Sequence, residues 1–535
     1  MGLDSGRMLI REGSCSVLLT YLKDTRLDED AEAVRVSIPK GGSKKDEKLN
    51  GGSEFYGVFG EVDVNSGRYL VYVKEAKKVG VIRGKCVYEA KSAGTILIEG
   101  LEDPAVHEVV ASFFKIPGLL FSDEDLSEIE ASENTDFIFN YIPLSKFLQK
   151  RKDGALFGIK AIQGFYGEVS LSKPIPIECF ILSRRSWKNA GTRYCARGAD
   201  TSGNAANTVE TVFVCAYEGA KSVLLQCRGS IPLSWEQKID LSYKPPVKMG
   251  SSETNEYVFQ KHLDVLKRRY GEFFIITLLD RSGHEKELCE AFDRELESGG
   301  VGHLSVNYHQ MIKHPEEKRK FRQDLREILD KKITIRTNCV DCLDRTNVVQ
   351  SQIAKINLAR DLGLETETSS GAILDIDDYL DEKETKKLAQ LWNSNGNVIS
   401  MQYTGTSALK NDLTEHGVRT FKGLLQDAIS SGKRYVNNNF TDGKMQETIE
   451  VVVGVRHTLE NFTNGDVKTG ALAVLILAVL MLVLAQKPSV AVLFAVAVVV
   501  LTRVLLFRSL SFPSPLSLPA RTSPSKRELP GAPAA

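Results

Sequence analysis

Arg336-Thr-Asn-Cys339-Val-Asp341-Cys342-Leu-Asp344-Arg345-Thr346-Asn-Val-Val-Gln-Ser351 is the stretch that decides how this chain reads. Lys332-Ile-Thr-Ile-Arg336 before it alternates apolar and polar residues, which predicts a short strand. After Arg345, residues Val349, Ile353, Ala354 and Ile356 recur at helical spacing, which predicts a helix with one buried face. Cys339 therefore falls in a strand-to-helix loop. The first N–H groups of a helix lack intrahelical partners and carry the positive end of its dipole, so such a loop cradles phosphate. The same field favours a thiolate, lowering a cysteine pKa from ~8.5 toward ~3.5–7.5. These features make Cys339 a candidate nucleophile, Arg345 a planar fork for two phosphate oxygens, and Thr346 a hydroxyl donor to the sulfur.

Cys-x5-Arg alone is a weak pattern in a chain of 535 residues with nine cysteines. Cys339 and Cys342 also have the spacing of half a zinc site or of a redox pair. No second Cys-x2-Cys or close His pair accompanies them to complete a tetrahedral site. The full string Asn338–Asn347, however, resembles the signature loop of the Sac-domain phosphoinositide phosphatases.

Further segments resemble that family in order: the Gly/Tyr-Leu meander Gly57–Tyr88, then Asp136–Asn140, Ile181–Ser186, Gly191–Thr211, Arg228–Pro232, Trp392-Asn393, Gln402–Lys410 and Arg434–Gly443. The resemblance runs from about Gly57 to Gly443. It implies an α/β (α+β) fold, with a β-rich N-terminal Sac subdomain over 1–150 packed on a catalytic domain with a mixed central sheet over 151–458. It further implies hydrolysis of a lipid phosphomonoester, most simply the 4-phosphate, through a phosphocysteine at Cys339. In this reading Asp341 or Asp344 transfers the proton, and Val340, Cys342, Leu343, Lys410 and Arg419 line the substrate. No metal or other cofactor is called for, because Arg345 and the loop amides supply the positive field. A Cys-dependent protein phosphatase and a catalytically silent lipid-binding protein are the alternatives. The silent reading draws on Asn307, which stands where the family carries Asp, and on a short 309–336 segment.

Composition bounds the partners. Lys+Arg and Asp+Glu both total 69, so no global basic excess points to nucleic acid. Nine scattered cysteines read as free thiols in a reducing compartment, not a disulfide framework. Arg184, Arg185, Arg193, Arg197 and Arg228 suit a polyanionic headgroup, or else pair with carboxylates such as Asp200, Glu210 and Glu236. The acidic run 122–130 reads as a solvated loop. Short strands broken by glycines are expected over 57–88, a buried strand over Phe273–Leu279, and an amphipathic helix over Pro315–Leu329 with Phe321, Leu325, Ile328 and Leu329 inward.

Gly470–Ala485 and Ser489–Thr502 carry no charge and flank Gln486-Lys-Pro488. A two-span hairpin over 469–508 after a 459–468 linker is the expectation, a single kinked span the alternative. Arg503, Arg508, Arg521, Lys526 and Arg527 place the 509–535 tail, and with it the catalytic body, in the cytosol. Short spans suit the endoplasmic reticulum bilayer, and the resemblance adds the Golgi. The Pro/Ser-rich tail reads as disordered.

Overall fold

The computed structural model describes residues 7–12, 16–22, 33–39, 53–131, 134–240, 242, 244–364, 374–409 and 421–459. Lys410, Arg419, the anchor at 469–508 and the tail lie outside these residues. Among the described residues, no helix is long and apolar enough to cross a membrane.

A small antiparallel sheet opens the chain, built from β1 (Arg7–Glu12), β2 (Ser16–Leu22), β3 (Ala33–Pro39) and β4 (Ser53–Phe55) in the order β3-β2-β1-β4. It packs by Ile10, Leu19 and Phe55 on Val58, Leu144 and Phe147.

The body is one mixed sheet of eleven strands. Its antiparallel part holds β5 (Gly57–Val64), β6 (Gly67–Ile82), β7 (Lys85–Gly100), β8 (Leu119–Ser122), β9 (Ala161–Leu171), β10 (Ile177–Arg185), β11 (Val209–Tyr217) and β12 (Ala220–Gly229). A separate two-stranded ribbon joins β13 (Trp235–Gln237) and β14 (Val247–Met249). The large sheet then continues in parallel through β17 (Thr334–Asn338), β15 (Phe273–Thr277) and β16 (His303–Ser305). Pairing of β8 with β9 carries the sheet across residue 150 without a break.

Two expectations change here. The glycines of 57–88 do not cut the meander into short strands, since β6 and β7 are 16 residues each. Gly80 instead admits a ring, since a Cβ there would meet Tyr166 Cε1 at 2.1 Å, and beyond that stretch one on Gly94 would meet Tyr72 Cζ at 2.2 Å. The cysteines are not all free either. Cys179 and Cys215 stand directly opposite each other in the β10–β11 register, Cα atoms 4.1 Å apart, and are joined as a disulfide. Composition could not reveal that register.

Helices cover the sheet: α1 (Pro104–Phe114), α2 (Tyr141–Gln149), α3 (Ser252–Tyr270), α4 (Lys286–Ser298), α5 (Tyr308–Lys313), α6 (Pro315–Asp330), α7 (Asp344–Asp361) and α8 (Glu382–Thr404), with two more over Phe421–Val436 and Asp442–Val453. The expected inward face of α6 is the observed one, since Phe321, Leu325, Ile328 and Leu329 are its buried residues. The expected strand at 273–279 is β15, whose Ile275, Ile276 and Thr277 are buried. Helix α7 departs from the single buried face, because every residue from Thr346 to Ala359 except Gln352 is buried. It lies between the sheet and α6 and α8, and its polar side chains find partners there. Lys355 pairs with Asp377 at 2.6 Å, and Asn357 donates to Asp361 at 2.9 Å.

The acidic run 122–130 is also less solvated than its composition suggests. Leu126 and Ile129 are buried, and their carbonyls accept from Arg184 at 3.0 and 3.2 Å.

Asn140 fastens α2 to the sheet. Its fully buried amide donates to Phe59 O at 2.7 Å and Ile159 O at 2.8 Å and accepts from Ala161 N at 2.9 Å. Asn140→Ala strands three buried backbone groups, so unfolding in urea is expected to show a loss of about 3 kcal/mol. A loss under about 1 kcal/mol would mean that those groups find other partners.

Candidate active site

In open sheets with parallel strands, ligands bind beyond the carboxyl ends of those strands. Here β12, β17 and β15 run side by side, pairing Gly229 with Asn338 and Asn338 with Thr277. All three end at the same rim. Cys339 leaves the end of β17 there, and α7 begins five residues later at Asp344. The sequence places the loop correctly, and the structure adds what surrounds it.

Cys339 is 3% exposed and accepts from Cys342 N at 2.8 Å and from the Thr346 hydroxyl at 3.4 Å. Burial alone would push its thiol pKa up. The Cys342 thiol, the Arg345 guanidinium and the Thr346 hydroxyl overcome that, and the pKa is lowered to about 7 even with Asp341 opposing. Cys342 sits in the left-handed region at φ 53°, a conformation that L side chains adopt only where the surroundings impose it. Its sulfur lies 2.6 Å from Gly229 O, and burial drives that thiol's pKa upward. The two cysteines thus divide: one poised to ionise, the other a neutral brace.

Arg345 does not point its fork at empty loop space. Nη1 and Nη2 donate to the two oxygens of Glu285 at 2.9 Å each, Nη1 also reaches Leu278 O at 3.0 Å, and Asp280 stands 3.3 Å from Nη2. Sequence reading missed Asp280 and Glu285. Their only signal was a polar turn directly after a buried strand.

Asp341 is held in a two-arginine clamp. Arg193 donates to it at 3.0 and 2.6 Å and Arg197 at 2.7 Å, while a second Arg197 nitrogen reaches Val340 O at 2.8 Å. Burial opposes ionisation, but the two guanidinium groups hold this carboxyl well below the usual carboxylate range. Asp344 accepts from Leu409 N and, at 3.2 Å, from Arg434. Leu343 packs against Val209, Ile399 and Tyr403. The buried carboxyl of Asp442 has its pKa pushed up to about 7 by burial, with Arg193 opposing. Nothing local in the sequence marked that group.

The arginine cluster sorts into distinct roles. Arg184 pairs with Glu210 at 2.7 Å inside the sheet, whereas Arg185 uses Gln163, Gly191 O and Asn207 as acceptors. Arg193 and Arg197 serve the loop. Asp200 and Glu236, the other suggested partners, hold a turn with Asn204 and pair with Lys238 at 3.4 Å. Asn307 caps α5, its side chain accepting from Gln310 N at 3.1 Å, so an uncharged residue satisfies that position.

Cys339, with a thiol pKa lowered to about 7, thus stands just before the head of a helix, six positions before Arg345. Comparison with known proteins supplies the class. The SacI homology domain matches residues 56–313. The chain is 32% identical over 458 residues to phosphoinositide phosphatase SAC8 of Arabidopsis thaliana, covering 76% of each chain. It is 32% identical over 451 residues to phosphatidylinositol-3-phosphatase SAC1-B of Danio rerio, covering 74% of this chain and 75% of that one. With phosphatidylinositol-3-phosphatase SAC1 of Saccharomyces cerevisiae it shares 31% over 312 residues, 52% of this chain and 49% of the other. The chain belongs to the Sac family of phosphoinositide phosphatases and is a phosphoric monoester hydrolase.

The clamp has a pH signature. A carboxyl whose pKa is depressed on folding adds stability above its unfolded pKa of ~3.9 and loses it as pH falls toward the folded value. Wild type should therefore melt above Asp341→Asn at neutral pH, and the gap should narrow steadily once pH drops below about 4. A gap that does not change with pH would show that the clamp acts through shape alone.

Proposed function

We propose that this chain hydrolyses a monophosphorylated phosphatidylinositol through a phosphocysteine on Cys339. The observation that carries the reading is the Cys339 thiol, held beside Thr346 and Arg345 with its pKa lowered to about 7, in the loop that this family shares. In the first step the thiolate forms an S–P bond as the bond from phosphorus to the inositol oxygen breaks, and that oxygen takes a proton. In the second, water attacks phosphorus, gives up a proton and releases phosphate and thiolate.

Of the two loop carboxylates we assign the proton transfer to Asp344. Asp341 already accepts three hydrogen bonds from two guanidinium groups, which leaves it a brace. Arg345 and the amides at the head of α7 hold the equatorial oxygens, with Glu285 and Asp280 yielding part of the guanidinium when phosphate arrives. Val340, Cys342 and Leu343 supply that backbone cradle, and Lys410 and Arg419 are carried as headgroup contacts by sequence alone.

The 4-phosphate remains our first choice of ring position. Two relatives are named for the 3-phosphate, so position is decided by assay. The membrane reading rests on sequence: a hairpin at 469–508 would tether the loop to a cytosolic leaflet, at the endoplasmic reticulum or Golgi.

Purified full-length protein and Cys339→Ser, assayed on vesicles carrying each phosphoinositide and on a phosphotyrosine peptide, test the reaction. Wild type is expected to release phosphate from a monophosphorylated lipid and the variant to release none. Equal inactivity on every lipid would overturn the reading, and activity confined to the peptide would make this a protein phosphatase. For the proton donor, Asp344→Asn should lower kcat about a hundredfold on lipid and much less on an aryl phosphate whose leaving group needs no proton. An equal loss on both substrates would remove Asp344 from that role.

A further inference from the structure

Arg228 closes β12 in register with Thr337 of β17, two residues before Cys339, and the next residue's carbonyl accepts the Cys342 thiol. Its side chain lies on the α7 side of the sheet, because Gln226, two residues earlier on the same face, donates to Gln350 O of α7. Val209, its partner on β11, packs with Leu343 of the loop and with Ile399 and Tyr403 of α8. The guanidinium is thus wedged beneath the catalytic loop. It is fully buried, and among the described residues none of Nε, Nη1 or Nη2 has a hydrogen-bond acceptor.

That isolation is particular to this residue. Arg184 and Arg185, equally buried in the same sheet, have Glu210 and a set of neutral oxygens respectively. An unpartnered buried cation costs folding free energy, and such a cost persists where function requires it. The loop meanwhile needs positive charge. Arg345 supplies it while paired with Glu285 and flanked by Asp280, and Arg193 and Arg197 are spent on Asp341.

We propose that Arg228 is the positioning cation of the catalytic loop, a guanidinium kept free of carboxylates so that the Cys339 thiolate and the phosphate it receives serve as its counter-charge. It acts from beneath, through the loop, without touching substrate. Burial pushes the Arg228 pKa down, whereas Tyr403, Cys342, Cys339 and Asp344 favour its charged form. Cys339 is influenced by Cys342 and Asp341 of the loop and by Arg345 and Thr346 of α7, Arg228 of β12 by Cys339, Cys342, Asp344 and Tyr403 of α8, and Cys342 also by Arg336 of β17.

This inference rests on Cys339 being the nucleophile, and its test separates the two. Full-length wild type, Arg228→Met and Arg228→Lys are compared by thermal melting, by the pH dependence of Cys339 alkylation with iodoacetamide, read on the loop peptide by mass spectrometry, and by kcat/KM on phosphoinositide vesicles. Arg228→Met is expected to melt no lower than wild type, to shift the alkylation midpoint up by about one pH unit, and to lose about thirtyfold or more in kcat/KM, mostly in kcat. Arg228→Lys should keep the wild-type midpoint and recover most of the activity. An unshifted midpoint in Arg228→Met overturns the proposal. So does a variant that melts lower or fails to fold, since the residue would then be structural. A wild type that ionises Cys339 near neutrality but releases no phosphate from any lipid refutes the enzymatic reading while leaving the charge relation measured.

Discussion

The parallel pairing of β12, β17 and β15 is the constraint from which the site follows. Four register pairs, Gln226 with Ile335 through Gly229 with Asn338, bring Gly229 and Arg228 beneath the loop, and the β15 pairing brings Leu278, Asp280 and Glu285 to its other side. A parallel pair needs a crossover, and the chain uses α4, α5 and α6 to make it. Cys342 and Arg345 therefore meet their partners Gly229 and Glu285 from 113 and 60 residues away in sequence.

Much of the loop was legible in sequence because its physics is local. A strand, a tight turn and a helix follow one another within Lys332–Ile356, and the period of side chains reports each. The same holds for α6, whose four apolar residues give one face, and for β15. Partnerships across the chain were not legible. Five arginines between 184 and 228 invited pairing with the nearest carboxylates, and one obliged, Arg184 with Glu210. Arg193 and Arg197 instead reach Asp341, about 150 positions away in sequence, because the loop rather than the local turn carries the charge that needs offsetting. Glycine misled for a related reason: Gly80 reads as a strand breaker, but the ring of Tyr166 occupies the space a side chain would take.

The site's electrostatics show why these long-range partners matter. Were Asp341 free, its charge would sit beside a thiol that must ionise, and it already raises that thiol's pKa from within the clamp. Arg193 and Arg197 neutralise it, and Arg197 also fixes the backbone of Val340. Glu285 does the reverse to Arg345, pairing a carboxylate with the loop's guanidinium. Charge in this site is held in reserve rather than displayed, which is consistent with a total composition that is neutral.

Enclosure of α7 on nearly all sides has a consequence for how this family can diversify. A helix with one wet face can drift, tilt or absorb new side chains, and the loop at its head would drift with it. Helix α7 has no such freedom, since substitutions from Thr346 to Ala359, Gln352 aside, meet packed neighbours. Room for new side chains lies instead in the turn after β15, where residues 281–284 are exposed.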